Sequence, residues 1–303
     1  MRRHAGRGGA SPHTPHNGSR DVYQRLRTFL FVGPGLAWLT FFMVVPCLLV
    51  FLYSFFERGV YGGIVYTLTF ENFDRAFDPL YLAILLKSAR IAATATLIAL
   101  LIAYPAAYAI ARAPRDRQPV YLFLVMLPFW SNYLIRTYAW IVMLNREGLI
   151  NRALLDFGLV SEALPLLYTE ASVVTGLVYN YVPFVILAIY SSISRLNPEI
   201  AEASEDLGAP SHKTFLRVIL PLTLPGIAAG AVFVFVLSIG NFITPDLLGG
   251  GRVQMVGNLI YDQFLEARDW PFGSALSLIL IGVMMCLLFA QAIAVNRSAE
   301  GTR

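Results

Sequence analysis

Charged residues are scarce in this sequence. Only 14% of its 303 residues are Asp, Glu, Lys or Arg, where a soluble domain carries about a quarter. Apolar residues make up 57%. A surplus that large needs a solvent other than water, and the bilayer is the obvious one. Cysteine is rarer still. Cys47 and Cys286 stand alone in separate apolar runs, which implies neither a disulfide framework nor a zinc site. Three of the four histidines (His4, His13 and His16) share a polar leader and His212 lies far from them, so no metal centre is expected. No Gly-Lys pair occurs anywhere. A G-x-x-x-x-G-K-[ST] phosphate loop is therefore absent, and the chain is not expected to hydrolyse ATP. G-x-S-x-G, H-E-x-x-H and paired-Cys motifs are missing too. No catalytic residue, metal ligand or cofactor is expected.

What the sequence has is long apolar runs. Residues 1–27 hold six arginines and one acid, Asp21, and read as a disordered basic tail. The run that follows, Phe29 to Phe56, has 28 residues without a charge, too long for a signal-peptide core of about 7–15. Five more runs are Ile91–Ala111, Gln118–Asn145, Ala171–Ser194, Val218–Pro245 and Trp270–Asn296; Arg136 is the one charge inside them. Each can cross about 30 Å of hydrocarbon as a helix. None alternates in polarity as a barrel strand would. The expectation is an all-α integral membrane bundle of six transmembrane helices. Its membrane body would be 28–296, with tails at 1–27 and 297–303. With the N-terminus inside, 14 of 23 Lys and Arg fall on the inner side and 12 of 19 acids on the outer, so both termini are expected in the cytoplasm.

The loop at 195–217, between the fourth and fifth runs, is the most ordered polar stretch. Asn197 suits an N-cap and Pro198 a first helical position. Glu199, Glu202, Glu205 and Asp206 put negative charge in the early turns. Ile200, Ala203, Ser204 and Leu207 follow i, i+3, i+4, i+7 and form one small-to-apolar face. Gly208 suits a left-handed C′ position, and Pro210-Ser211 starts a second short helix toward Pro221. The pattern predicts a helix–turn–helix built to dock on another protein. A plain interfacial connector is the bland alternative. A DNA-binding helix–turn–helix is rejected, because four acids and a membrane tether do not suit phosphate contacts, and no nucleic-acid partner is expected.

The same residues carry a family resemblance. Glu202-Ala203-Ser204, three residues, Gly208, nine residues, then Val218-Ile219-Leu220-Pro221 resembles the E-A-A, x3, G, x9, I-x-L-P signature of binding-protein-dependent ABC permeases. Ser204 and Val218 depart from it conservatively. Further likenesses, among them Leu134-Ile-Arg-Thr-Tyr-Ala-Trp140, Pro245-Asp-Leu-Leu-Gly-Gly250 and Asp269-Trp-Pro-Phe-Gly273, point to the polyamine (spermidine/putrescine) permease subfamily. Relatives of that kind also move opines, iron, thiamine or aminophosphonates. The resemblance implies a type I (MetI-like) importer permease in the cell membrane. Its implied partners are ABC ATPase subunits, a second homologous permease and an extracytoplasmic solute-binding protein. It assigns ATPase coupling to Glu202, Ala203, Ser204, Leu207, Gly208 and Pro221. An ion-coupled secondary carrier is the rival class, but such carriers place ionisable groups deep in their spans.

A polycation would need carboxylates and aromatic faces along its route. Trp130, Tyr133, Tyr138, Asn180, Tyr181, Asn241 and Asp246 are the candidates for a pathway through the membrane. The aromatics among them could equally belong to an interfacial belt.

Overall fold

The computed structural model describes residues 18–300, and the side chains of 30–293 apart from residue 198. The chain divides into two compact units, residues 1–52 and 53–303. The first is dominated by helix α1 (Gly18–Tyr53), with Pro34 and Pro46 inside it. Leu30–Tyr53 is long and apolar enough to cross a membrane. Residues 18–27, expected as disordered tail, are helical instead. Gln24, Arg25, Leu26 and Arg27 are strong helix formers that extend the span outward. The rest of the expected tail, residues 1–17, lies outside the described residues.

The second unit opens with a hairpin, β1 (Phe56–Arg58) and β2 (Ile64–Leu68), then α2 (Glu71–Ala76) and α3 (Pro79–Arg112). α4 (Gln118–Met126) runs into a 3-10 turn at Leu127–Trp130, followed by α5 (Tyr133–Leu144), α6 (Leu149–Asp156) and α7 (Glu170–Ile193). α8 (Pro198–Asp206) and α9 (Ser211–Thr214) come next, then a π-helical turn at Phe215–Ile219 and α10 (Leu220–Leu222). α11 (Leu224–Ile239), α12 (Ile243–Gly249), α13 (Val256–Leu265) and α14 (Trp270–Glu300) complete the chain.

Four of the six expected spans are continuous helices among the described residues: α1, α3, α7 and α14. The other two differ from expectation. The third is split, because Pro128 sits in the 3-10 turn and the chain restarts at Asn132, whose side chain accepts the Leu134 N–H at 2.8 Å as an N-cap. The fifth does not run straight from Val218. Ser211–Leu222 and Leu224–Ile239 meet at 63°. Pro225 explains the bend: it lacks the N–H that would reach the Pro221 carbonyl, and its ring crowds that carbonyl. The final helix continues to Glu300, so 297–300 extend the span.

The core of this unit is α3 against α7 and α11. Ala92, Ala95, Ala99, Ala103 and Ala107 recur every three or four residues on α3, and all are fully buried. Ala95 to Ala107 meet Val173, Leu177, Val178, Val185, Ile186 and Ile189 of α7. In lipid the hydrophobic effect does not drive helices together, so contact depends on close backbone approach, which small residues permit. α11 approaches α7 by the same device. A Cβ on Gly230 would stand 3.0 Å from Val185 Cγ1, and one on Gly226 would stand 3.0 Å from the Ala188 carbonyl.

At the far end of the unit a polar knot ties the hairpin and α2 to α14. Asp269 is fully buried and holds Arg75 at 2.8 Å and Arg58 at 3.8 Å. It also accepts the Phe272 N–H at 3.2 Å, capping α14. The Arg75 guanidinium lies 3.8 Å over the Phe272 ring. Burial pulls its pKa down, but hydrogen bonds to Asp269 and Tyr81 outweigh that and hold it above the ordinary arginine value. Asn72 Nδ2 donates to the Ser54 carbonyl at 3.0 Å and the Phe56 carbonyl at 2.8 Å, closing the hairpin onto α2.

The alanine stripe yields a direct test. Ala99→Leu forces three extra carbons into the α3–α7 contact and should cost about 1–3 kcal/mol. Ala93→Leu, on the exposed side of α3, should change little. Thermal unfolding of the purified protein in detergent compares the two, and an unchanged midpoint for Ala99→Leu would disprove close packing along this stripe.

Candidate functional site

The loop after α7 is a closed, stiff structure. Asn197 Oδ1 accepts the Glu199 N–H at 3.2 Å and caps α8. At the other end Gly208 has φ +81°. Its N–H donates to the Glu205 carbonyl at 2.9 Å, and the Ala209 N–H donates to the Ser204 carbonyl at 3.2 Å. That pair of bonds is the Schellman arrangement, which needs a left-handed residue and so favours glycine. Ser204 and Thr214 hydroxyls meet at 3.0 Å, binding α8 to α9. The expected apolar face is therefore divided. Ser204 turns inward, whereas Ala203, Ile200 and Leu207 face out, and Leu207 is 90% exposed. Glu202 is exposed beside them, and Pro221 is exposed in α10.

Aromatic and hydroxyl contacts tie this loop to α3. The Phe215 ring lies between Tyr104 and Tyr108, edge-on to both at 5.6 and 5.3 Å. The Tyr104 hydroxyl meets Thr223 Oγ1 at 2.9 Å, at the bend itself. Thr223 is fully buried and also donates to the Leu220 carbonyl. Side-chain contacts thus run from α8 through α9 and the π-turn to the bend and the core.

Three of the seven pathway candidates come together between the spans. Asn241 Nδ2 donates to the Tyr133 and Tyr181 hydroxyls, each at 2.8 Å. Asn241 Oδ1 accepts the Thr244 N–H at 2.9 Å, and Tyr133 and Thr244 share a short hydroxyl contact. This cluster links α5, α7 and the α11–α12 connection. Asn180 is buried on α7 and donates to the Gly176 carbonyl at 2.9 Å, while its Oδ1 has no partner among the described residues. Trp130 and Tyr138 are exposed away from the cluster, and Asp246 is exposed in the first turn of α12.

Sequence reasoning passed over two residues. Thr244 completes the cluster, but a threonine at a span end carries no signal of its own. Arg136 was noticed only as a charge. It is buried, donates from Nη1 to the Pro128 carbonyl at 3.2 Å and lies over the Phe129 ring at 5.1 Å, so it serves the carbonyl end of the broken third span. The pairing of Ser131-Asn132 with an arginine four residues on was the available clue to that break. Lys87 and Arg90 also have a local purpose: both pair with Glu170, at 3.6 and 2.5 Å, where negative charge suits the start of α7.

Residues 34–299 match the family described as binding-protein-dependent transport system inner membrane component. The spermidine/putrescine transport system permease protein PotB of Haemophilus influenzae is 43% identical over 87% of this chain and 93% of its own length. The protein of the same name from Escherichia coli is 39% identical, over 87% and 97%. Among solved structures, a chain of a bacterial alginate ABC transporter, in complex with an alginate pentasaccharide-bound periplasmic protein, superposes with a TM-score of 0.76. It is 15% identical and the match covers 92% of this chain and 96% of that one.

The hydrogen-bonded cluster can be measured. Tyr133→Phe and Asn241→Ala should each lower stability by about 1 kcal/mol. A double-mutant cycle should return a coupling of about 0.5–1.5 kcal/mol between them. Strict additivity in thermal unfolding would mean that the two side chains do not act together.

Proposed function

The chain belongs to the family of binding-protein-dependent transport system inner membrane components, and on that premise we propose that it is the permease subunit of an ATP-driven importer of polyamines, spermidine or putrescine. The transporting body is 28–296 and the coupling loop 195–217. The observation that carries the reading is α8: a helix capped at both ends, set between two spans, that presents an almost fully exposed leucine and an acidic flank. A helix so ordered, with Leu207 uncovered by its own chain, suits a cleft in another protein. The partner is an ATPase subunit, since the family is a transport subunit and this sequence holds no phosphate loop. Glu202, Ala203, Leu207 and Gly208 form the docking end; Ser204 and Pro221 carry the displacement inward. A second permease of the same family completes the pathway, and an extracytoplasmic binding protein delivers the solute. Both termini lie in the cytoplasm, with α8 on the same side.

The polyamine follows from the near full-length similarity to spermidine/putrescine permeases. The membrane site is chemically compatible. Tyr133 and Tyr181 offer aromatic faces and Asn241 an amide oxygen, and an ammonium that has shed water gains about 0.5–2 kcal/mol from each ring face it meets. Asp246 supplies a carboxylate at the outer end, with Trp130, Tyr138 and Asn180 further along the route. When the ATPases close, the coupling helices swing and the two permeases rock, turning this cluster from one side of the membrane to the other.

Two experiments test the reading. Gly208 has open space where a Cβ would go, so a substitution there is penalised by its backbone conformation alone, at about 1–2 kcal/mol. Gly208→Val should abolish uptake with the chain still in the membrane, whereas Gly208→Asn, which tolerates the left-handed region, should keep most of it. Equal uptake by both variants would remove the coupling role. For the solute, labelled spermidine uptake by the assembled transporter should be competed by putrescine and not by thiamine, an iron chelate or an aminophosphonate. Failure of spermidine to enter or to stimulate ATP hydrolysis would leave the permease reading intact and overturn the polyamine.

A further inference from the structure

A cleft of about 490 Å³ lies behind α8, where α3 and α7 end and α4 begins. Its lining carries both signs of charge: Arg112 and Arg115 at and just beyond the end of α3, Glu202 and Glu205 on α8, together with the apolar Ile219 and Leu222. None of the four charges is in an ion pair among the described residues. The Arg112 guanidinium is held 4.6 Å over the Tyr108 ring, which fixes it without neutralising it. The ends of three membrane segments meet here, so the cleft sits at the level of lipid head groups.

We propose that this cleft binds the head group of a zwitterionic phospholipid carrying a primary amine, phosphatidylethanolamine. The phosphate meets Arg112 and Arg115 in charge-assisted hydrogen bonds, and the ammonium donates to Glu205. Ile219 and Leu222 take the glycerol and upper acyl carbons. An acidic lipid would leave the carboxylates unmatched and be repelled by them. A choline lipid brings a cation with no N–H to donate. Basic pockets between spans at the cytoplasmic face are known lipid sites; the carboxylates that share this lining make it select for an amine. The bound lipid then wedges between the spans and α8 and sets the resting position of that helix. The inference rests on the reading of α8 as the coupling helix and is independent of the solute.

The test uses the assembled transporter in nanodiscs of defined composition. Wild type in phosphatidylethanolamine with phosphatidylglycerol should unfold about 2–4 °C above wild type in phosphatidylcholine with phosphatidylglycerol. It should retain ethanolamine lipid in native mass spectrometry. The variant R112Q/R115Q should lose that retention about tenfold and unfold at the same temperature in both mixtures. Glu205→Gln should keep phosphate-dependent retention but no longer distinguish ethanolamine from choline. Spermidine uptake measured alongside in the ethanolamine mixture keeps a failed lipid site distinct from a failed transporter. Identical behaviour of wild type in the two mixtures would overturn the proposal, as would undiminished selectivity in R112Q/R115Q. So would ethanolamine lipid retained by the permease pair alone but absent from the assembled transporter, which would make the cleft part of the protein interface. An equal shift from free phosphoethanolamine would replace the lipid with a soluble ligand and overturn it too.

Discussion

The close approach of α3 and α7 along the alanine stripe is the contact on which the second unit depends. It fixes two spans so near each other that neither can tilt alone. Every other element is referred to that pair. α11 reaches it through Gly226 and Gly230, α12 packs on α7, and Phe215 wedges the loop against α3. The Lys87 and Arg90 pairs with Glu170 close the same contact at one end; at the other, Tyr190 donates to Gln118 of α4 at 2.8 Å, and Gln118 Nε2 donates to the Ala111 carbonyl of α3 at 3.1 Å. Packing rather than water holds these helices together, so a rigid pair surrounded by bent and broken segments is a natural division of labour.

The breaks follow one rule. In hydrocarbon an exposed carbonyl or N–H is costly, so a helix can be interrupted only where side chains serve the freed groups. Asn132 and Arg136 do this in the third span. Thr223 does it at the bend of the fifth, with Tyr104 behind it. Asn241 does it where α11 gives way to α12. At two of these three breaks the serving groups also reach the α8–α9 loop or the hydrogen-bonded cluster: Tyr104 meets Phe215, and Asn241 holds Tyr133 and Tyr181. The places where the backbone is least regular are therefore the places where the proposed work is done.

Much of this was legible in advance. Runs of more than 20 apolar residues report spans reliably because hydrocarbon thickness sets their length. α8 was legible because caps, acidic early turns and a C′ glycine are local signals, and the helix spans the residues that those signals bracket. The meeting of Tyr133, Tyr181 and Asn241 was not readable as a contact. They lie far apart in sequence, and only the packing of α5 and of the α11–α12 region on α7 brings them together. The breaks were missed for a different reason. A proline in a span, such as Pro128 or Pro225, is more often a gentle kink than a stop, and what decides is whether a neighbour can serve the freed backbone. Ser204 shows the same limit on a small scale. Helical spacing placed it on the outer face, and one hydroxyl contact with Thr214 turned it inward.

The Phe215 wedge has a consequence for how such transporters diverge. The ring is gripped by Tyr104 and Tyr108 from a segment about a hundred residues earlier in the chain. The loop and the helix it presses on are therefore one packed unit, although the sequence separates them. A loop transplanted from a relative would bring its own residue at 215 into a socket shaped for another. To exchange this loop between family members, both halves of the grip have to travel together.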